Sequence, residues 1–465
     1  MRPPEQPVTY RPDPQIMQLA EWLATPVAAA QFPETRLRFA NRRWAGSVGL
    51  QDWRDEDWVR HLGRFEPLPD NLSEPLALAY HGHQFRVYNP EIGDGRGFLF
   101  AQLRDHTDRL VDLGTKGSGT TPYSRRGDGR LTLKGAVREI LATELLEARG
   151  VDTSKTLCVI ETGEQLERGD EPSPTRSAVM TRLSHGHIRI GTFQRLAVLE
   201  EPEHMAQLVD YCLEQYPGPP PPEDAPGRDQ PAVILLHQVV ERLADTAAAW
   251  MVAGFVHGVL NTDNMNISGE SFDYGPWRFL PKWDASFTAA YFDHQGLYAF
   301  ARQPEAVHWN CMQLAVALRA LADSDPLVAA LDRYGGLYEA ALRRRWLWRL
   351  GVMPQDGESD TALIGAMERQ MVATGEAPDA AFARYRGWRG QPGTEFETLL
   401  AARSFVEGAE PLPDDAPSLV IERVEAIWAA IDRDDDWSVL ETEIERIRAH
   451  GAALGTISPA RRPLA

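Results

Sequence analysis

The stretch His257-Gly258-Val259-Leu260-Asn261-Thr262-Asp263-Asn264, followed nine residues later by Asp273-Tyr274-Gly275, decides how the rest of this chain is read. Asp263, Asn264 and Asp273 offer carboxylate and amide oxygens, the donors that magnesium prefers when water and phosphate oxygens complete its shell. A loop can present all three together. Taken singly, Asp263-Asn264 reads equally well as a turn pair, and Asp273 as a cap of a helix or strand. A metal-nucleotide site therefore needs partners elsewhere in the chain.

The bulk composition leaves room for such a site and excludes several others. With 465 residues, 43% of them hydrophobic, the chain can bury a core large enough for two or three packed units. Its formal charge of -19, from 67 acidic and 48 basic residues, argues against a broad nucleic-acid footprint, so any polyanion site must be local. Cys158, Cys212 and Cys311 are far apart and form no Cys-x-x-Cys pair, which points to a reducing compartment rather than a disulfide framework or zinc knuckle. Met1 to Tyr10 is Pro-rich, carries Glu5 and does not lead into an apolar stretch, so no secretory signal is expected. Nothing approaches the ~20 apolar residues of a membrane span, and a cytoplasmic protein is expected.

Outward from the loop, the character of the chain changes twice. From Pro3 to about Ala79 the pattern is rich in Trp and Pro, with one helix expected around Gln15 to Leu23, as in an extension that wraps a domain. The runs Phe98–Leu103, Leu110–Leu113, Thr156–Ile160 and Ser177–Leu183, separated by Gly and charged turns, read as strands. Between Leu131 and Ala148 the spacing of Leu133, Val137, Ile140, Leu141, Leu145 and Leu146 predicts an amphipathic helix. After Gly191 helices dominate: Phe193–Leu199, Met205–Gln215, Pro231–Val252, Glu305–Leu321 and Leu327–Leu350, with the Pro-rich excursion Pro217–Gln230 as a loop. The expected fold class is α+β, with an N-terminal extension over 1–79, a small sheet-rich lobe over 80–191, a large helical lobe over 192–387 and a C-terminal helical extension over 388–465.

Several constellations precede the opening stretch. In Gly93-Asp94-Gly95-Arg96-Gly97 the alternating glycines let a backbone approach phosphate, although such a turn in a hairpin is more often only a turn. Lys116 ends a strand-like run and Glu139 lies in the following helix; alone, they would read as a surface ion pair worth at most ~1 kcal/mol. Asp128-Gly129-Arg130 sits between that strand and that helix, where either an anion site or a solvated loop fits. Arg182 and Arg189 bracket His185 and His187, and two guanidinium groups could converge on a phosphate. His-x-His at 185/187 and at 81/83 lacks the further ligands of a metal site.

Glycines, strand lysine, helix glutamate, His, Asn and Asp-x-Gly come in the order found in protein kinases. A kinase loop reads His-Arg-Asp-x-x-x-x-Asn, with Asp as base and Asn on magnesium. Aligned on His257 and Asn264, this chain has Gly258 in place of Arg and Val259 in place of the base. Binding of a metal nucleotide is expected, without phosphorylation of a hydroxyl being required.

The resemblance is closer still to the selenoprotein O family. Gly82-His83-Gln84-Phe85, Gly93-Asp94-Gly95-Arg96, Lys116-Gly117-Ser118-Gly119-Thr120-Thr121-Pro122-Tyr123-Ser124-Arg125, Gly127-Asp128-Gly129-Arg130, His187-Ile188-Arg189 and His257 to Tyr274 look like that family's hallmark segments. They cover roughly Leu78 to Phe287. The resemblance implies a protein-kinase-like two-lobed fold that binds ATP in a flipped orientation and transfers AMP to Ser, Thr or Tyr hydroxyls of proteins, releasing pyrophosphate. It implies nucleotide contacts from Gly93, Gly95, Arg96, Lys116, Asp128, Gly129, Arg182, Arg189 and Asp273, with Glu139 positioning Lys116. It further implies that Asn264 and Asp273 bind Mg2+ or Mn2+ and that Asp263 is the proton acceptor. Expected partners are ATP and protein substrates, with no nucleic acid or membrane, and the chain is expected to act as a monomer. Family members often carry a redox Cys or selenocysteine near the C-terminus; Ile457 to Ala465 has none, so redox control through that residue is not expected. A conventional protein kinase and a non-catalytic nucleotide-binding pseudokinase scaffold are the competing readings.

Overall fold

The computed structural model describes residues 8–169, 171–413 and 416–455; the C-terminal stretch without a Cys lies outside them. Its organising element is an antiparallel sheet whose strands run in the order Ala24–Pro26, Leu76–Leu78, Leu99–Arg104, Leu110–Lys116, Thr175–Ser184, Lys155–Leu166, Arg36–Ala40. The central strand Leu110–Lys116 is buried at every position, and its neighbours are nearly so. Near-continuous apolar runs rather than strict alternation are what a sheet covered on both faces requires. All four expected strands form; the one expected over Phe98–Leu103 is shifted by one residue to Leu99–Arg104, and the other three are longer than expected.

The segment before residue 80 is woven into this sheet. Ala24–Pro26 pairs with Leu76–Leu78 at one edge, and Arg36–Ala40 pairs with Lys155–Leu166 at the other. The helix expected over Gln15–Leu23 is instead a 3-10 turn, Gln15–Gln18, followed by a single helical turn, Ala20–Leu23. Its start is tied to the sheet: the Ile16 N–H donates to Gln102 Oε1 at 2.7 Å, and Asp13 N–H to the Gln102 carbonyl.

Helix Leu133–Ala148 starts where Thr132 accepts from Gly135 N–H at 3.1 Å, a side-chain N-cap. Its apolar stripe packs on the sheet as expected, but its polar side does not face water. Glu139, Thr143 and Glu144 are all buried. The C-terminal helices Ile421–Asp434 and Ser438–Leu454 lie over that side, where Arg448 reaches Glu144 at 2.6 Å and Glu425 takes Lys134 at 2.7 Å.

Beyond the sheet, helices Ile190–Val198, Pro202–Gln215, Pro231–Ala253 and Gln303–Leu318 pack together, with Pro231–Ala253 buried on nearly every side. The single helix expected over Leu327–Leu350 is two, Ser324–Asp332 and Tyr334–Leu350. Gly335-Gly336 lies at the break, and each Gly costs about 1 kcal/mol relative to Ala in a helix interior. Among the described residues no helix is long and apolar enough to cross a membrane.

Candidate active site

A cavity of about 640 Å³ opens beside the strand end at Lys116, and its wall includes Gly93, Gly95, Arg96, Lys116, Asp128, Gly129, Arg182, Arg189, Asp263 and Asp273. Residues up to 180 positions apart in the chain thus meet on one surface. Glu139 and Asn264 are not among the lining residues; Glu139 touches Lys116, and Asn264 follows Asp263 in the chain.

The glycine turn is glycine for reasons of space. A Cβ on Gly93 would meet the Tyr123 ring at 2.4 Å, and one on Gly97 would meet the Thr115 carbonyl oxygen at 2.1 Å. The loop 121–124 closes over the turn, with Thr121 Oγ1 donating to the Asp94 carbonyl and Ser124 Oγ to that of Gly95, each at 2.5 Å. Gly129 needs its freedom twice over, since it has φ of +69° and a Cβ there would fall 2.2 Å from Gly119. Asp128 is held by Arg168 at 2.8 Å, and Arg130 by Glu164 at 2.8 Å, so the hairpin carrying 164–168 anchors this stretch.

Sheet register sets the cationic group. Met180 pairs with Lys116 and Arg182 with Gly114, so Lys116 and Arg182 project from the same face two positions apart. Lys116 Nζ lies 2.5 Å from Glu139 Oε1 and 2.9 Å from Asp273 Oδ1. Arg182 Nη1 is 3.5 Å from Asp273 Oδ1, and Arg189 Nη1 is 3.8 Å from Asp273 Oδ2. The Phe272 ring lies 4.9 Å from the Arg189 guanidinium and 5.6 Å from that of Arg182, and Tyr80 lies 4.4 Å from Arg189, contacts that hold the planar cations in place.

Asp273 itself has φ of +60°, a left-handed conformation that Asp tolerates better than most residues. Burial works to raise its pKa, but Lys116, Arg182 and Arg189 outweigh burial and hold the carboxyl well below the usual range. Asp263, in contrast, is pushed up to about 6, chiefly by burial and against the pull of Arg189. Its Oδ1 is buried without a hydrogen-bond partner.

The loop that carries Asp263 is tied down on every side. Thr262–Asn264 forms a 3-10 turn; Thr262 Oγ1 accepts from His83 N–H at 2.7 Å and donates to Gln194 Oε1 at 2.6 Å. Asn261 Oδ1 accepts from Phe85 N–H at 3.0 Å and from Tyr298 Oη at 2.9 Å. Arg189 Nη1 donates to the Asp263 carbonyl at 2.9 Å, joining the cation group to the loop. Asn264 Nδ2 donates to the Val259 carbonyl at 3.0 Å, which leaves the amide oxygen as its free end. His257 is structural: buried and lowered in pKa by burial, its Nε2 meets the Phe272 carbonyl at 3.1 Å and so links the loop to the Asp273 segment.

Sequence reading missed Asp94, Tyr80, Gln84, Phe272 and Arg168. Asp94 bridges Arg189 at 3.2 Å and the Leu78 N–H at 3.1 Å, and only its place between the spaced glycines hinted at it. Three of the four histidines in the two His-x-His pairs are engaged in hydrogen bonds. His187 Nδ1 meets Asp112 Oδ2 at 3.0 Å, His81 Nδ1 meets Tyr88 Oη and His83 Nδ1 meets Gln194, both at 2.7 Å. Among the described residues no group of three or more His, Cys, Asp or Glu is placed to hold a metal ion.

Comparison with known proteins bears on what this arrangement does. The family model described as protein adenylyltransferase SelO matches residues 7–386. The protein nucleotidyltransferase YdiU of Synechocystis sp. is 40% identical over 480 residues, covering 95% of this chain and 98% of that protein. The YdiU of Trichodesmium erythraeum is 47% identical over 345 residues, 73% of this chain and 72% of the relative, and that of Gloeobacter violaceus is 41% identical over 91% and 92%. The matched span takes in the glycine turn, Lys116 and Glu139, the arginine pair, Asp263 and Asp273, so the chain belongs to the SelO family of protein adenylyltransferases.

Proposed function

We propose that the protein transfers AMP from ATP to serine, threonine or tyrosine hydroxyls of other proteins and releases pyrophosphate. One observation carries this reading: Asp263, with an unpartnered buried oxygen, lies on the same cavity as Lys116, Arg182 and Arg189, while Val259 occupies the position of a kinase base. The three buried cations take the terminal phosphates, because they can stabilise negative charge where water is excluded. The α-phosphate is then the one left to an acceptor activated at Asp263. The acceptor oxygen bonds to the α-phosphorus as the α–β bridging P–O bond breaks. The hydroxyl proton passes to the Asp263 carboxylate, and the electron pair of the broken bond leaves on pyrophosphate. Such general-base help is worth ~10²- to 10⁴-fold.

The residues present fit a divalent ion of the magnesium or manganese type. Asp273 supplies a carboxylate at the cavity and Asn264 a free amide oxygen, while the shortage of further protein ligands suits an ion completed by phosphate and water. When bound there, the ion would neutralise charge on the pyrophosphate leaving group. Gly93, Gly95, Arg96, Asp128 and Gly129 contact the rest of the nucleotide in this reading, and Glu139 keeps Lys116 oriented. The division into a sheet-rich lobe and a helical lobe, kinase-like in plan, belongs to the same proposal and is supported by the order of these residues along the chain.

Incubation with α-labelled and, separately, γ-labelled ATP tests the reaction. Protein label from the α-phosphate alone is expected. Label from the γ-phosphate alone would make the protein a conventional kinase.

A further inference from the structure

Twelve large apolar side chains are exposed among the described residues, and five of them, Val87, Tyr291, Phe292, Met312 and Val316, come from three neighbouring segments beside the catalytic loop. The hairpin Gly82–Gln84/Val87–Asn89 joins these segments to Asp263. Gln84 lines the same cavity as Asp263. One residue on, the Phe85 N–H is held by Asn261, and the Phe85 ring lies 5.7 Å from Phe292, which in turn meets Tyr291 at 5.1 Å. On the other side, Arg86 sits 5.4 Å from the Trp309 ring; Trp309, Met312 and Val316 follow at spacings of three and four on helix Gln303–Leu318 and share its outer face.

The turn that presents Val87 is strained. Phe85 and Arg86 both have positive φ, 50° and 63°, where glycine or asparagine would be at ease. Strain of this kind persists where surrounding contacts overdetermine it, and it collects at sites with a function. At the edge Glu305 meets both Arg86 at 3.1 Å and Arg302 at 3.6 Å, so these three groups leave one positive charge beside the apolar side chains.

We propose that this face docks the protein substrate as an extended segment, and that it selects acceptor hydroxyls flanked within a few residues by aromatic or branched apolar side chains. The proposal rests on the AMP-transfer reading above. Contiguous exposed apolar surface marks interaction sites, and this one begins next to Gln84, which shares the cavity with the proposed base. A second copy of the same chain is the rival occupant.

The test uses synthetic peptides with one central Ser, Thr or Tyr, flanked either by Leu and Phe or by Ser and Glu, with α-labelled ATP. The apolar-flanked set is expected to be modified with kcat/KM at least roughly tenfold higher. Val87→Glu and Tyr291→Glu should each abolish that preference while ATP affinity, measured without peptide, stays unchanged. Tyr291→Phe should keep the preference, which separates docking from misfolding, and Val372→Glu, on the remote helix Gly357–Thr374, should not affect it. Equal labelling of both peptide sets, or an undiminished preference in the two Glu variants, would overturn the proposal. So would a wild-type dimer in sedimentation that Tyr291→Glu dissociates, which would assign the face to self-association. In each of those cases α-label still enters protein and the transferase reading stands; γ-label alone would remove both.

Discussion

Asp263 and Asp273 lie on one cavity, ten residues apart in the chain, and their surroundings drive them in opposite directions. Asp273 receives three cations and stays ionised well below the usual carboxylate range. Asp263 keeps one buried oxygen unpartnered, and burial lifts its pKa to about 6. Carboxylates whose pKa values are pushed apart are suited to separate work. The low one is suited to permanent charge, as an anchor for cations and metal; the high one is suited to receiving a proton.

The comparison is broken most completely at the anchor. Asp273→Ala is expected to lower AMP transfer by on the order of 10³-fold or more, because several kcal/mol of charge stabilisation are lost with it. Residual metal-dependent transfer at the wild-type rate would remove its role. Asp263→Asn keeps the shape but not the basicity, and should cost ~10²- to 10⁴-fold in kcat. ATP affinity, measured by calorimetry, should hardly change, and a loss confined to KM for ATP would contradict the base assignment.

Glu139→Ala tests the support beneath the anchor. It leaves buried Lys116 with Asp273 as its remaining close carboxylate, and breaking such a pair costs about 3–5 kcal/mol, readable as a lower urea midpoint. Gly97→Ala should be milder, about 1–3 kcal/mol from its contact with the Thr115 carbonyl, with weaker ATP binding as the turn shifts. The smallest change is expected at Arg168→Ala. Its pair with Asp128 is half exposed and worth at most ~1 kcal/mol in stability, so any larger effect on ATP affinity would mean that Arg168 itself meets the nucleotide.

Much of this site could be read from the chain because its residues sit at element ends. Lys116 closes a strand, Glu139 lies in a helix with a clear apolar period, and the glycines punctuate a turn. Asp94, Tyr80 and Phe272 escaped because a carboxylate between glycines and two aromatic rings have no spacing that foretells what they will touch. Arg168 is 40 residues from Asp128 and meets it only through the hairpin. The helix over Leu133–Ala148 was legible, but not the cover on its polar side, which comes from helices some 290 to 300 residues later. The reading at Gln15–Leu23 gave one helix where the chain makes a 3-10 turn and a separate helical turn, anchored at its start by the Ile16 N–H on Gln102.

Residue types and their order determined the donor chemistry by themselves: hard oxygens at Asp263, Asn264 and Asp273, guanidinium groups at Arg182 and Arg189, and an ammonium at Lys116. Those properties are carried by each side chain and need no neighbour. The opposite pKa shifts of the two carboxylates were decided only by the tertiary structure, because charge state depends on burial and on cations delivered by sheet register from other parts of the chain.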